Sequence, residues 1–427
     1  MSIDNPRFDL TQQTELFKIN YYKKSENMYN SENVLEGRLR KRYDFTGKQR
    51  YIATPLSFSG GVGAKLLPKA NGGAYGDANI FAKRVYARAE IERESIKASA
   101  NDAGAFVRAT AETVKKTVES YMRNCSRILF GDGSSILGRG DGATNVTGAG
   151  TEASPYVVTI SASSFIEANF EEKDFVQVVS GMNAGDNLGG AAEGGDTTAN
   201  LLEIVAVDVA ARQVSLVGTS AVLQGLVGGP SALPATSGLA MQRSYLAEPQ
   251  GLDGILQSSI AGGTSLYNIP VQRRWQMESS NAGGGITTDL MNGLMLNVEK
   301  KFGKVPNMIM TSYEQYQNIL ALLEDQKVYN LPNRNIKGNL SFQGVEFMST
   351  RGPVGIFVDR FCPADRIYFL NDNFIERHHR PDFGWFDDDG TVFLRTTDSD
   401  DYEARYGGYF ENYITPTAHG CLFGLAV

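Results

Sequence analysis

The spacing of hydrophobic positions changes character several times along this chain, and each change predicts a different element. Between the capping residues Asn101 and Asp102 and the break at Gly131-Asp132-Gly133, Val107, Val114, Val118, Tyr121, Cys125 and Leu129 recur at helical spacing. Arg108, Glu112, Lys115, Glu119 and Arg123 fall on the opposite side. This predicts one amphipathic helix of roughly 28 residues, a rod of about 40 Å at the α-helical rise. The preceding run, residues 79–96, alternates instead. Ile80, Ala82, Arg84, Tyr86, Arg88 and Glu90 face one way and Phe81, Lys83, Val85, Ala87 and Ala89 the other, so both faces of this strand carry charge. Joined to a first strand from Tyr51 by a loop punctuated at Gly60-Gly61-Val62-Gly63 and Asn71-Gly72-Gly73, it makes a long hairpin. With little apolar area on either face, such a hairpin must lie on another surface.

Residues 134–248 are rich in Gly, Ala, Ser and Thr and poor in basic residues. Short β runs appear at Tyr156–Ile160, Asp174–Val179, Leu201–Val209, Gln213–Val217 and Met241–Leu246, which suggests a small inserted β-barrel or sandwich. After Gly251 the pattern becomes α/β. Leu290, Leu294, Val298 and Phe302 line a helix over Thr287–Phe302 that stops at Gly303, with Pro306 just beyond. The apolar strand Asn307–Met310 follows, then Thr311 or Ser312 caps a helix over Tyr313–Leu323 that buries Tyr316, Ile319, Leu320 and Leu323. Further strands are expected at Val345–Ser349, Gly355–Asp359, Arg366–Leu370 and Thr391–Arg395, with a terminal apolar segment Gly420–Val427. The first 48 residues hold only the stripe Leu16, Phe17, Tyr21 and Tyr22 and the basic knot Arg38-Leu39-Arg40-Lys41-Arg42. They read as an arm without a core of its own, ordered by a partner, the knot being a solvated face or a contact to acidic neighbours.

At 427 residues the chain exceeds the ~250–300 residues that one core serves, so two or three lobes are expected. Its 42% hydrophobic and 21% charged residues are ordinary globular values and exclude a disordered or fibrous chain. A formal net charge of -7 opposes a tight, phosphate-neutralising grip on DNA. Cys125, Cys362 and Cys421 are odd in number and far apart, so they read as buried thiols in a reducing compartment. Met1–Asn20 has no apolar core of a signal peptide, and no stretch approaches the ~20 apolar residues of a membrane span. The expected site of synthesis is the cytoplasm, with no membrane partner.

Candidate chemistry fails position by position. Gly60–Lys65 resembles a phosphate loop, but Ala64 precedes the lysine and Leu66 stands where Ser or Thr would bind magnesium. His378 and His379 are adjacent, so on a strand they point to opposite faces and cannot share a metal readily, even with Glu376 near. They read as surface or interface residues. Asp387-Asp388-Asp389-Gly390 lacks the first and last ligands of a calcium loop, since Trp385 and Thr396 stand there, and reads as a tight hairpin turn. Asp398, Asp400 and Asp401 add solvated charge. With no nucleophile elbow and no Cys–His pairing, the chain is expected not to be an enzyme and to hold no catalytic residue, cofactor or metal.

The order of arm, long loop, long helix and α/β lobe resembles the Hong Kong 97 type fold of tailed-phage major capsid proteins. Gly61-Val62-Gly63-Ala64-Lys65 through Leu67-Pro68 and Tyr75, then Lys83–Ile91, is similar to the family's extended loop, and Gly104-Ala105-Phe106-Val107 leading to Phe130-Gly131-Asp132-Gly133 to its spine helix. Glu248-Pro249-Gln250-Gly251-Leu252-Asp253-Gly254-Ile255 resembles the entry to its axial lobe, and Asn307–Tyr313 that lobe's strand and helix. Trp385, Asp387–Gly390, Asp401-Tyr402-Glu403 and Ala418-His419-Gly420 resemble its closing segment. The resemblance implies an α+β chain divided into an N-terminal arm (1–48), an extended loop (49–98), a spine helix of the peripheral domain (99–133), an inserted β module (134–248), an axial domain with parts of the peripheral domain (249–385) and a C-terminal return (386–427). It implies a virion shell protein that assembles with itself as hexamers and pentamers around double-stranded DNA without sequence-specific binding. The implied partners are a separate scaffolding protein, since only about 50 residues precede the loop, a portal protein and a decoration protein. Lys65, Lys69 and Lys83 are available for the crosslinks some relatives make, but no reaction centre is identified and none is expected. The rival readings are the shell of a cellular nanocompartment with the same fold and a β-rich glycan-binding protein or glycosidase built on residues 134–248.

Overall fold

The computed structural model describes residues 34–57, 73–91, 103–180, 191–192, 200–227, 232–261, 265–325, 346–350, 352–380, 384–387, 392–395 and 401–427; for residues 103–112, 180, 191–192, 323–325 and 346 this covers the backbone alone. The chain divides into two compact units. The first comprises Met1–Lys48, Phe81–Arg127 and Arg377–Glu411, and the second Gln49–Ile80, Ile128–Glu376 and Asn412–Val427.

In the first unit the amphipathic period yields the helix Ala103–Phe130, whose 28 residues match the length the sequence predicts. Val114, Val118, Tyr121 and Cys125 are buried along one stripe, and Tyr121 meets Tyr406 edge-on at 5.1 Å. Tyr406 belongs to the strand Tyr402–Ile414, the longest in the protein among the described residues. Lys83–Ile91 runs antiparallel along it, from Tyr402 opposite Ile91 to Phe410 opposite Lys83. A side chain at Gly407 would strike the Val85 carbonyl oxygen, and the Tyr86 ring covers the gap this glycine leaves.

The alternating run after residue 78 is two strands, not one. Tyr75–Phe81 and Lys83–Ile91 belong to different sheets, and Ala82 lies between them. That single break shifts the parity of the pattern: Ala78 and Ile80 are buried before it, and Val85, Ala87 and Ala89 after it. The charge expected on both faces of one strand resolves into one buried and one solvated face for each. Asp388–Gly390 lie outside the described residues, but the flanking strands exclude a tight hairpin between them. Gly384–Trp385 and Leu394–Arg395 both pair antiparallel with Tyr402–Ile414 and therefore run in the same direction.

The second unit contains a barrel. Its strands follow the order Ile136–Arg139, Gly238–Met241, Phe175–Ser180, Leu202–Asp208, Gln213–Val217 and Tyr156–Thr159. The ends of this path meet, because Gly140 bridges Ile160 and the Ser161 N–H donates to the Arg139 carbonyl at 2.9 Å. Closure leaves no edge, and the inward positions Val158, Val176, Val178, Leu202, Ile204, Val214 and Leu216 fill the interior. The expected strand Met241–Leu246 is displaced toward the N-terminus. The chain turns directly after Met241, with Arg243 and Leu246 both at positive φ.

A mixed sheet forms the rest of this unit's core, ordered Glu278–Gly284, Gly420–Leu425, Ile367–Leu370, Met308–Thr311, Gly352–Val358 and Glu346–Ser349. Ile367–Leu370 and Met308–Thr311 are buried at every position, as apolar runs in the middle of a covered sheet should be. The helix Thr288–Phe302 packs Met291, Leu294, Met295 and Val298 inward. It starts where the Thr287 side chain accepts from the Leu290 N–H and ends at Gly303, whose φ of 81° suits glycine. The helix Tyr313–Asp325 starts on Ser312, whose hydroxyl accepts from the Gln315 N–H at 3.3 Å.

Candidate assembly surfaces

Residues 34–48 do more than the sequence pattern suggests. Leu35, Leu39 and Phe45 are buried in the first unit, and Arg40–Arg42 is a strand beside Ile375–His379. Glu36, 1% exposed, accepts from Arg377 Nη1 at 2.6 Å, and Arg377 is itself fully buried. The guanidinium lies 4.5 Å from the centre of the Phe410 ring and reaches the Cys125 carbonyl at 3.4 Å. Tyr43 stacks on His379 at 5.0 Å, the Phe45 N–H donates to the His379 carbonyl, and Arg380 Nη2 donates to the Gly47 carbonyl. The expectation that residues 1–48 lack a core is corrected for this stretch, because long-range partners near residues 377–380 and 410 supply one. The basic knot is an edge strand, and its Lys41 lies 3.8 Å from Glu36.

The histidines are likewise interior and not surface residues. His378 and His379 are buried, and burial with the nearby Arg377 and Lys41 charges lowers His379 to about 2. His419 is buried at the start of the strand Gly420–Leu425. Its Nδ1 accepts the Asn371 N–H at 3.2 Å, and burial lowers its pKa to about 4. In the unfolded chain this histidine titrates near 6.5, so acid favours unfolding. Its contribution is complete above about pH 6.5 and is lost as pH falls toward 4, to a total of about 3 kcal/mol. Urea unfolding of the subunit and of His419→Asn at pH 7 and pH 4.5 is expected to show a smaller acid loss for the variant. Equal losses would refute the assignment.

The three thiols are buried, and burial pushes Cys125 up to about 12, with Cys362 and Cys421 also raised. Gly60–Lys65, Lys69, Asp388–Gly390, Asp398 and Asp400 lie outside the described residues. Among the described residues no three His, Cys, Asp or Glu side chains form a metal-holding group.

The surface without a partner of its own is the two-stranded ribbon Gln49–Pro55 and Tyr75–Phe81. Its root is fixed within the second unit. The Asn79 N–H donates to the Tyr267 carbonyl, Thr54 Oγ1 and Tyr413 Oη are 3.3 Å apart, and Gly76 lies against Leu56 and Ile269. Tyr267 holds a φ of 50° in the turn Tyr267-Asn268, where its hydroxyl donates to the Asn412 carbonyl at 2.7 Å. Beyond the root, every second side chain of Gln49–Pro55 is exposed, and Tyr51 and Tyr75 remain 57% and 70% exposed. A two-stranded ribbon is marginal in water, so two large bare aromatics on one mark a face built to be covered.

Residues 192–420, more than half of the chain, match the family described as SU10 major capsid protein. The chain belongs to this family. It is a shell-forming major capsid protein of the tailed-phage type, a structural component of the virion. Among solved structures, the cyanophage A-1(L) capsid asymmetric unit is 12% identical with a TM-score of 0.53, over 92% of this chain and 93% of that one. That likeness shows the fold: an α+β capsid subunit of the Hong Kong 97 type, here carrying a closed β-barrel. The capsid of an empty GTA particle is 7% identical with a TM-score of 0.44, over 93% and 97% of the two chains, and no conclusion is drawn from it. No curated protein sequence matches. No catalytic motif of the sequence contributed to this family assignment; the signal that points to assembly is the unsupported ribbon.

Proposed function

We propose that this capsid protein builds an icosahedral shell of hexamers and pentamers around the double-stranded DNA of a tailed phage. Assembly takes place in the host cytoplasm on a separate scaffolding protein, with a portal protein at one vertex, and the barrel is the place for a decoration protein. The protein acts by association and carries out no catalysis. The observation that carries the reading is the ribbon with Tyr51 and Tyr75 bare, since covering it by a neighbouring subunit couples its stability to assembly. The net charge of -7 supports contact with packaged DNA that is neither tight nor sequence-specific. Expression of the protein with the phage's own scaffolding protein, followed by sedimentation and negative-stain imaging, is expected to give closed shells. A subunit that stays monomeric at high concentration with its scaffold present would overturn the reading.

A further inference from the structure

The second unit contains a cleft of about 560 Å³ between the barrel and the lobe built on the mixed sheet. Phe165, Ile166 and Val209 wall it on the barrel side, and Tyr313, at the start of the helix Tyr313–Asp325, on the other. Val209 and Tyr313 are 46% and 63% exposed, so the rim is apolar and uncovered. The lining carries the carboxylates Glu167, Glu171, Glu314 and Asp359 against Arg212 and Arg360. Asp359 is buried, with its carboxylate accepting the Phe361 N–H at 3.0 Å. The cleft therefore suits an apolar segment flanked by positive charge.

The chain itself contains such a segment. Lys65-Leu66-Leu67-Pro68-Lys69 places an apolar triplet between two lysines, and no Asp or Glu occurs from Ser57 to Gly76. The other lysine-aromatic stretch of the sequence, residues 16–24, is bracketed by Glu15 and Glu26, which the carboxylates would repel. We propose that the cleft receives Lys65–Lys69 of a second copy, with Leu66 and Leu67 against Phe165, Ile166 and Val209 and the lysines toward Glu167 and Glu314. This gives a role to the glycine-rich motif that no nucleotide chemistry explains: Gly60–Gly63 would be the lead into a docking segment. The proposal rests on the self-assembling role, and the two can fail separately.

The test begins with shells of the unaltered protein, whose absence would count against the assembling role and not against the docking. Leu66→Cys combined with Val209→Cys is then assembled and oxidised mildly with a copper catalyst, each single variant serving as control. Disulfide-linked dimers and higher multimers are expected from the double variant only. No linkage in intact shells, or a disulfide closed within one chain, overturns the proposal, as does linkage of Phe17→Cys to Val209→Cys in place of the loop. In a second arm, Lys65→Glu/Lys69→Glu is expected to lower shell yield at least tenfold, and adding Glu167→Lys/Glu314→Lys to restore most of it. A loss that the reversed charges do not restore also overturns it, and this arm decides the matter if the cysteine variants do not assemble.

Discussion

Replacing Glu36 by Leu is expected to destabilise the first unit by about 3–5 kcal/mol, because it leaves the Arg377 guanidinium charged in the core with its carboxylate removed. Both side chains of the pair are essentially inaccessible, and they meet at 2.6 Å. The Cys125 carbonyl at 3.4 Å and the Phe410 ring remain, but neither supplies a counter-charge. The double variant Glu36→Leu/Arg377→Met should recover most of the loss, since apolar side chains of similar size replace a buried pair at little penalty. Lys41→Met is the control: Lys41 lies 3.8 Å from Glu36 and is 25% exposed, so its loss should change stability by about 1 kcal/mol or less. Urea unfolding of the unassembled subunit reads all three. A Glu36→Leu variant as stable as the parent would show that the pair does not hold residues 34–48 in place. The consequence for the shell is specific, because Glu36 sits at the root of the N-terminal segment. Weakening the pair frees the stretch through which that segment joins the first unit.

How much of this was legible in the sequence depended on how local the cause was. The helix Ala103–Phe130 was legible because its 3.6-residue period persists over seven turns and each buried position reinforces the same face. Much of the barrel was legible because strands such as Gln213–Val217 alternate cleanly between small polar turns. The strand Tyr402–Ile414 was not, although Ala404, Tyr406, Phe410 and Asn412 alternate on one face. Gly407-Gly408 and the charges Glu403, Arg405 and Glu411 obscure the pattern, and its support comes from Lys83–Ile91, more than 300 residues earlier. Leu35, Leu39 and Phe45 failed to register for the same reason: isolated apolar positions announce a core only when their distant partners are known. The parity change at Ala82 was hidden because a one-residue break leaves a charged alternating run looking continuous. His378 and His379 were placed outside because histidine burial is decided by tertiary surroundings, here Tyr43 and Phe410 around His379. Of the assembly surfaces, the loop could be inferred from its poverty of apolar area, whereas the cleft joins residues from four parts of the sequence and leaves no local trace.

The ribbon allows folding and assembly to be separated. Tyr51→Ser/Tyr75→Ser removes two aromatic rings that are largely in water in the isolated subunit, so the variant should unfold within about 0.5 kcal/mol of the parent and keep its circular dichroism. The Gln49 Nε2 donor that reaches the Tyr51 hydroxyl is itself exposed and can turn to water, so the lost bond costs the monomer little. In the shell the same rings would be covered by a neighbour, where a buried aromatic anchor contributes about 2 kcal/mol or more per contact. Because every subunit presents one ribbon, the loss is repeated around each capsomer, and shell yield by light scattering is expected to collapse while the monomer stays soluble. The defect should persist when salt is raised, as the missing contacts are apolar and not ionic. Normal yield and size of shells from this variant would mean that neither ring is an anchor and that the ribbon's cover comes from elsewhere. A subunit that aggregates or unfolds would instead show that the tyrosines serve its own fold. The combination expected here, an intact monomer that does not assemble, follows only if the exposed face is held for another copy of the chain.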